Sequence, residues 1–331
     1  LQGDSILEPH FDSQETALNG AIGLIDEALA QFDPTSDFKF EDTYDMIYHG
    51  DIDLWIKAAR SIKLRMLMTM VDADPTKATA IAQLVSEGGF ISSPEENMFV
   101  PFEATAGKKN PKYALIEQYL DGINFFYASP YVLDYQKVHD DPRIPIFFER
   151  PAGEDEYIGI LPGDNADDDV NAKINHEFHY ATLPEYLFTY QEVLFYLAEI
   201  NARGLGQAVN LTQANTLYKE AVTESCVLFG VDRTVAEDFA NGLPDITASA
   251  DPMYPISYEH WIDKMDRGVD AFTQWRRSGP EGSEVPALEL PVNAPSGGLF
   301  RRYEYPGSGE LLSNPNAPDL IPFTTKTWFD L

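Results

Sequence analysis

Two histidines and a run of acids are the residues of this chain whose types suggest metal chemistry. His176-Glu177-Phe178-His179 brings two imidazoles together, but one residue short of the H-E-x-x-H spacing that sets both on one helix face. On a helix they would stand at i and i+3, which can share a metal. The flanking Asn175 and Tyr180-Ala181-Thr182 do not read as helix, so zinc is not expected. Asp164, Asp167, Asp168 and Asp169 form an acidic loop. It lacks the D-x-[DN]-x-[DN]-G spacing and the distant Glu of a calcium hand. A solvated loop is expected there, with calcium as the alternative.

Nucleophiles are equally scarce. Cys226 lies within a helical pattern and is expected as a small buried hydrophobe. Gly307-Ser308-Gly309 sits in a Pro/Gly-rich stretch and reads as a tight turn, since no G-x-S-x-G elbow is present. Neither G-x-G-x-x-G nor G-x-x-x-x-G-K-[ST] occurs, so no phosphate cradle or nucleotide cofactor is expected. Paired carboxylates for glycosidic cleavage are not distinguishable among 54 acids.

Aromatic residues are the better lead. Asn124-Phe125-Phe126-Tyr127-Ala128-Ser129-Pro130-Tyr131 lies in a loop-rich region. Flat apolar rings beside hydroxyl and amide groups suit sugars, whose axial C–H groups stack on aromatic faces. Tyr127 and Tyr131 are the first candidates for ligand contact, followed by Phe126, Phe125 and Asn124. The competing role is to pin the loops to a core.

The elements that must position these residues are mostly helices. Apolar residues recur at helical spacing from Ser13 to Phe32, with Ser13 as cap. A second helix is predicted from Asp51, with Trp55, Ala59, Ile62, Met66 and Met70 on its face. A third starts at Asp74-Pro75 and ends at Gly88-Gly89. From about 91 to 183 the chain is rich in Pro, Gly, Asn and Asp and should be long loops with a few short strands or helices. Helices are then predicted over 184–203, with Leu187 on the apolar side, and from a Thr212 cap to Leu228. Ala214, Tyr218 and Ala221 carry the spacing of the second helix of a tetratricopeptide repeat. One more helix is predicted over 257–277, with Trp261, Met265, Val269, Phe272 and Trp275 buried. The tail over 278–331 should be irregular, anchored by Phe300, Tyr303, Tyr305, Phe323, Trp328 and Phe329.

Bulk properties narrow the function. The 331 residues carry a formal charge of −31, which repels nucleic-acid backbones and anionic headgroups and disfavours an acidic polysaccharide. The 44% hydrophobic content supports a core. A single cysteine permits no internal disulfide. No run of about 18 apolar residues suggests a membrane-spanning helix. No signal peptide is visible, and the start at Leu1 suggests a mature or truncated form.

Five segments, in order, resemble the SusD/RagB nutrient-binding lipoproteins of the Bacteroidetes outer membrane, and more narrowly their SusD-like branch. They are Tyr48-His49-Gly50-Asp51 through Arg65, with Arg60 where Asn is usual; Asp141-Pro142-Arg143; Thr189-Tyr190-Gln191-Glu192 through Glu199; Ala271-Phe272 through Gly279, with Phe272 for Trp and Ser278 for Thr; and Arg301-Arg302-Tyr303-Glu304-Tyr305-Pro306, before Glu310 and Asn314. The charged residues Glu192, Glu199, Arg65, Arg276, Arg277 and Arg302 suggest internal ion pairs rather than ligand contacts.

The resemblance implies a mainly α fold of tetratricopeptide-like helical hairpins with long irregular loop excursions. It implies a single domain over 1–331, N-terminally incomplete. It further implies a non-catalytic surface protein, held by an N-terminal lipid absent from this chain, that delivers a glycan to a SusC-like TonB-dependent transporter without a cofactor. The charge favours a neutral glycan. Peptide binding on the same fold, or a helical polysaccharide-degrading enzyme, are the alternatives.

Overall fold

The computed structural model describes residues 8–33, 35–37, 42–119, 124–280, 282–294, 297–305 and 313–330. The predicted turn at Gly307-Ser308-Gly309, with Pro306 and Glu310 of the family-like stretch, lies outside the described residues.

The first helical block follows its sequence signals closely. α1 (Gln14–Gln31) is capped by Ser13, whose Oγ accepts from the Thr16 N–H at 3.1 Å. α2 (Ile52–Met70) is capped by Asp51, accepting from Leu54 N–H at 3.2 Å. α3 (Lys77–Glu87) begins two residues beyond the expected Asp74-Pro75, because Asp74 spends its carboxylate on the Thr76 N–H and hydroxyl in the preceding turn. It ends at Gly88 and Gly89, both with positive φ.

The middle of the chain forms short elements: β1 (Met98–Val100), α4 (Pro111–Tyr119), α5 (Pro130–Val138), α6 (Ile144–Phe147), β2 (Phe148–Glu149), β3 (Lys173–Ile174) and β4 (Glu185–Phe188). Two antiparallel pairs result, β1 with β4 and β2 with β3. The predicted helix over 184–203 is therefore corrected at its start. Glu185 to Phe188 run extended along β1, and Leu187 points outward rather than into a helix stripe. α7 (Tyr190–Arg203) starts only at Tyr190, whose N–H is taken by the Asn97 side chain at 2.7 Å.

α8 (Leu211–Leu228) is capped by Asn210 rather than by Thr212: the Asn210 Oδ1 accepts from Gln213 N–H at 3.0 Å. α9 (Arg233–Gly242) had no predicted counterpart and starts at an Asp232 cap. The single helix predicted over 257–277 is two, α10 (Met253–Ile262) and α11 (Gly268–Arg277). The break falls where Asp263, Lys264 and Arg267 turn inward to charged partners and Gly268 relaxes the backbone. Val269, predicted buried, is 83% exposed as a result.

α2 lies between helices, touching α1 and α3 as well as α7. Its fully buried residues include Ala58, Ser61, Leu64, Leu67, Met68 and Met70; of the predicted Trp55–Ala59–Ile62–Met66–Met70 face, Met70 is buried and the other four are half-buried. α7 and α8 form the central hairpin, with Ala214, Tyr218 and Ala221 buried between them as their spacing predicted. A third apolar cluster ties the excursion to α10 through Leu133, Phe147, Phe148, Phe178, Tyr258 and Ile262. The tail has no strand among its described residues. Phe329 and the Arg301–Asp330 ion pair at 3.0 Å anchor it, whereas Tyr303 stands 83% exposed instead of anchoring.

Internal ion pairs hold the helices in register. Glu192 on α7 receives Arg65 of α2 at 2.7 Å, Arg267 at 2.7 Å and Lys264 at 3.1 Å. Glu199 receives Arg277 and Arg203, both at 2.7 Å. Arg143, completely buried, is clamped between Asp141 and Glu259 at 2.6 Å each. Among the described residues Arg276 and Arg302 do not join such pairs. Arg276 donates to the Arg301 carbonyl at 2.8 Å and lies on the Phe272 ring, and Arg302 lies over the Tyr305 ring at 5.6 Å. Both face the tail, which offers carbonyls and rings.

Candidate functional site

The aromatic run at 124–131 splits into parts with different work. Residues 126–128 run extended against 172–174: the Ile174 N–H donates to Phe126 O and the Ala128 N–H to Ala172 O, both at 2.8 Å. On the other side Ile160 N–H donates to Ala128 O at 2.9 Å. Gly159 lies so close that an added Cβ would meet Pro130 N at 2.8 Å. This backbone strip fixes where the aromatic side chains emerge.

Asn124 is buried and committed internally. Its amide donates to Glu149 Oε1 at 2.9 Å and to Ile174 O at 2.6 Å, and its oxygen accepts from Phe126 N–H at 3.0 Å. It is a strut that orients the next two residues. Phe125 and Phe126 are 59% and 47% exposed. They are the two most exposed phenylalanines among the described residues, and they are adjacent in sequence. Tyr127 hydrogen-bonds Asp168 through its hydroxyl, and Lys173 Nζ lies 5.2 Å from its ring centre while pairing with Asp168 at 2.9 Å. The ring is thus held flat against its loop.

Phe126 and Asn124 line a pocket of about 240 Å3 together with Leu115 and Ile116 of α4, Ile174, Phe178, Met265 and the two histidines 176 and 179. Sequence reasoning weighed those histidines only as metal ligands. His176–Phe178 is a single 3-10 turn, and His179 Nε2 lies 2.9 Å from Asp266 Oδ1. Asp266 also pairs with Lys112 at 2.9 Å. Burial would raise the Asp266 pKa, but the contacts from His179 and Lys112 outweigh it and hold the carboxylate below its ordinary value. Leu115 gave no sequence signal and Met265 was expected only on a buried helix face, because the fold brings them to the pocket from distant positions.

Tyr131 lies apart from this pocket. Its hydroxyl accepts from Glu289 N–H at 2.7 Å, and its carbonyl accepts from the Tyr258 hydroxyl. The ring lines two shallow clefts of about 660 and 510 Å3, one walled by Tyr135, Tyr254 and Tyr258, the other by Trp261, Trp275 and Phe300. Tyr135 and Tyr258 stack at 3.9 Å. A further concavity of about 1210 Å3 lies between β4, α11 and the tail. Lys112 and Asp266 line both it and the histidine pocket.

The acidic loop does not assemble a cation site. Asp164 caps Asn165 N–H, Asp167 accepts from Asp169 N–H at 3.0 Å, and Asp168 goes to Tyr127 and Lys173. Among the described residues no group of three or more His, Cys, Asp or Glu side chains converges on a metal position. Cys226 is buried in the α7–α8 core, where burial pushes its thiol up to about 12, so it is no nucleophile.

The structure is thus a helical scaffold carrying a loop excursion with exposed rings beside a pocket. Residues 1–306 match the SusD-like family described as starch-binding and associating with the outer membrane, and the chain belongs to that family. Solved structures share the fold. A chitin-binding protein aligns with a TM-score of 0.82 at 22% identity, covering 100% of this chain and 76% of the other. A chitin-binding SusD homologue from Flavobacterium johnsoniae gives 0.75 at 21%, covering 100% and 75%. A SusD homologue from Bacteroides uniformis gives 0.74 at 20%, covering 98% and 74%. A comparison with curated proteins finds no match.

Proposed function

We propose that this chain captures a neutral glycan without cleaving it, at the cell surface, as a lipid-anchored protein that passes the sugar to a SusC-like TonB-dependent transporter. The exposed ring of Phe126 carries this reading, because it lines a pocket in a family described as starch-binding, with the exposed Phe125 next to it in sequence. Phe126 and Tyr127 are the contact residues, with Phe125 beside them. Asn124 and Tyr131 serve by position, holding the strip and bracing the α5 start. Starch and chitin, the polysaccharides named for the family and for two similar structures, are uncharged, which agrees with a net charge of −31 repelling uronans.

Isothermal titration against neutral oligosaccharides, uronans and peptides tests the reading. Heat is expected with a neutral oligosaccharide, and Phe125→Ala and Phe126→Ala should each weaken it about fivefold, the equivalent of about 1 kcal/mol of stacking. Both residues are exposed, so melting temperature should hardly move. Heat with peptides alone, or release of shorter sugars on long incubation, defeats the proposal.

A further inference from the structure

The pocket beside Phe126 has a composition that a plain hydroxyl-bearing sugar does not require. Its wall is largely apolar, from Leu115, Ile116, Ile174, Phe178 and Met265. Yet two ring nitrogens of histidines that line it, His176 Nε2 and His179 Nδ1, are buried and have no hydrogen-bond partner. Buried polar atoms are nearly always satisfied, so two orphans at one small pocket point to partners supplied from outside.

Their hydrogen-bonding character can be worked out. Asp266 is an ionised carboxylate that already accepts from Lys112, and His179 Nε2 lies 2.9 Å from its other oxygen. That nitrogen therefore carries the proton, and in the neutral ring Nδ1 is left as an acceptor. Nothing in the protein fixes the tautomer of His176 through Nε2, so this second nitrogen is free to donate. The pocket thus offers one acceptor, one donor and an apolar wall. A hydroxyl group would use the nitrogens and waste the wall. A secondary amide ending in a methyl group uses all three, with its N–H, its carbonyl and its methyl.

We infer that this pocket takes the acetamido group of an N-acetylated hexosamine unit, with the Phe126 ring against the sugar face. This rests on the proposed glycan binding and adds the substituent that the site selects. The acetamido N–H donates to His179, its carbonyl accepts from His176, and its methyl packs on Leu115, Ile174 and Met265.

Chitotetraose and cellotetraose share linkage and length and differ at the 2-position, acetamido against hydroxyl, so they are the probes. Titration of the whole chain should show chitotetraose bound at least about tenfold more tightly, the size expected when paired nitrogens are otherwise left bare. His179→Phe keeps a flat ring and removes the acceptor. Leu115→Trp fills the pocket from a position 44% exposed, where a larger side chain is tolerated by the fold. Each should bring the two affinities together, with melting curves checking that the variant is folded. Equal affinities in the unaltered protein, or a preference that survives Leu115→Trp, overturns the inference. Binding of another neutral glycan but neither tetraose overturns it and leaves glycan capture standing, whereas no binding of any glycan removes both.

Discussion

Lys264 is a residue whose charge this fold tolerates poorly. Its side chain is almost wholly buried, and Glu192, its one close carboxylate at 3.1 Å, is shared with Arg65 and Arg267. Burial pushes the Lys264 ammonium down to about 8, assisted by Arg267 and Arg65 and only partly opposed by Glu192. The distance from the ordinary 10.5 corresponds to about 3 kcal/mol against the charged form. Lys264→Met should therefore leave the protein as stable at neutral pH, or more stable by about 1–2 kcal/mol, since Glu192 keeps two guanidinium partners. The sign with pH follows. Between pH 8 and 10.5 the unfolded chain holds a proton on Lys264 that the folded chain has lost, so this residue's contribution to stability rises with pH across that window. The urea midpoint of the unaltered protein should accordingly rise relative to that of Lys264→Met on going from neutral to alkaline pH. A loss of several kcal/mol in the variant at neutral pH would show that Lys264 is needed as a partner for Glu192. The same family-like helix from Thr189 to Glu199 had suggested internal ion pairs, and Arg65 and Arg277 supply them. Lys264 itself carried no such signal, because its burial is set by a turn that the periodicity reads as continuous helix.

The helix start at Tyr190 shows how one distant side chain sets an element's boundary. Asn97 is buried just before β1, and its Oδ1 takes the first N–H of α7 at 2.7 Å, while β1 holds β4 extended up to Phe188. Thr189 makes no side-chain capping bond of its own. Asn97→Ala should therefore cost about 1–2 kcal/mol, the worth of an N-cap, seen as a lower melting temperature. Thr189→Ala should cost less, and the reverse order would place the cap on Thr189. This explains the pattern of success in sequence reading. α1, α2 and the end of α3 are marked by local caps and glycines, and those signals suffice. β4 and the α10–α11 break are decided by partners far along the chain, whereas α8 starts at a local cap, Asn210, two residues ahead of the expected Thr212. Period-3.6 spacing at Leu187, Tyr190 and Leu194 cannot show that β1 stands alongside.

At the scale of the molecule, the fold was more legible than the site. Helical periodicity and five ordered motif-like segments indicate the scaffold, because each helix writes its buried face into the chain. The site is assembled from 115–116, 124–126, 174–179 and 265, segments with no shared period, so only Phe126 and Asn124 stood out as ligand candidates beforehand. His176 and His179 were visible as a pair but suggested a metal, since their missing hydrogen-bond partners appear only in three dimensions. Charge acts over the whole surface instead. A net −31 sets up repulsion that reaches about 10 Å at 0.1 M salt and less when salt is raised. Affinity for a neutral oligosaccharide should therefore change by less than about twofold between low and high salt, since stacking and hydrogen bonds carry no net charge. A uronan should bind worst at low salt and improve, if at all, as screening increases. The opposite trend, with uronan binding strongest at low salt, would mean that local cations outweigh the global field. It would move the ligand to the large cleft by the tail, where Arg302 pairs with no carboxylate among the described residues.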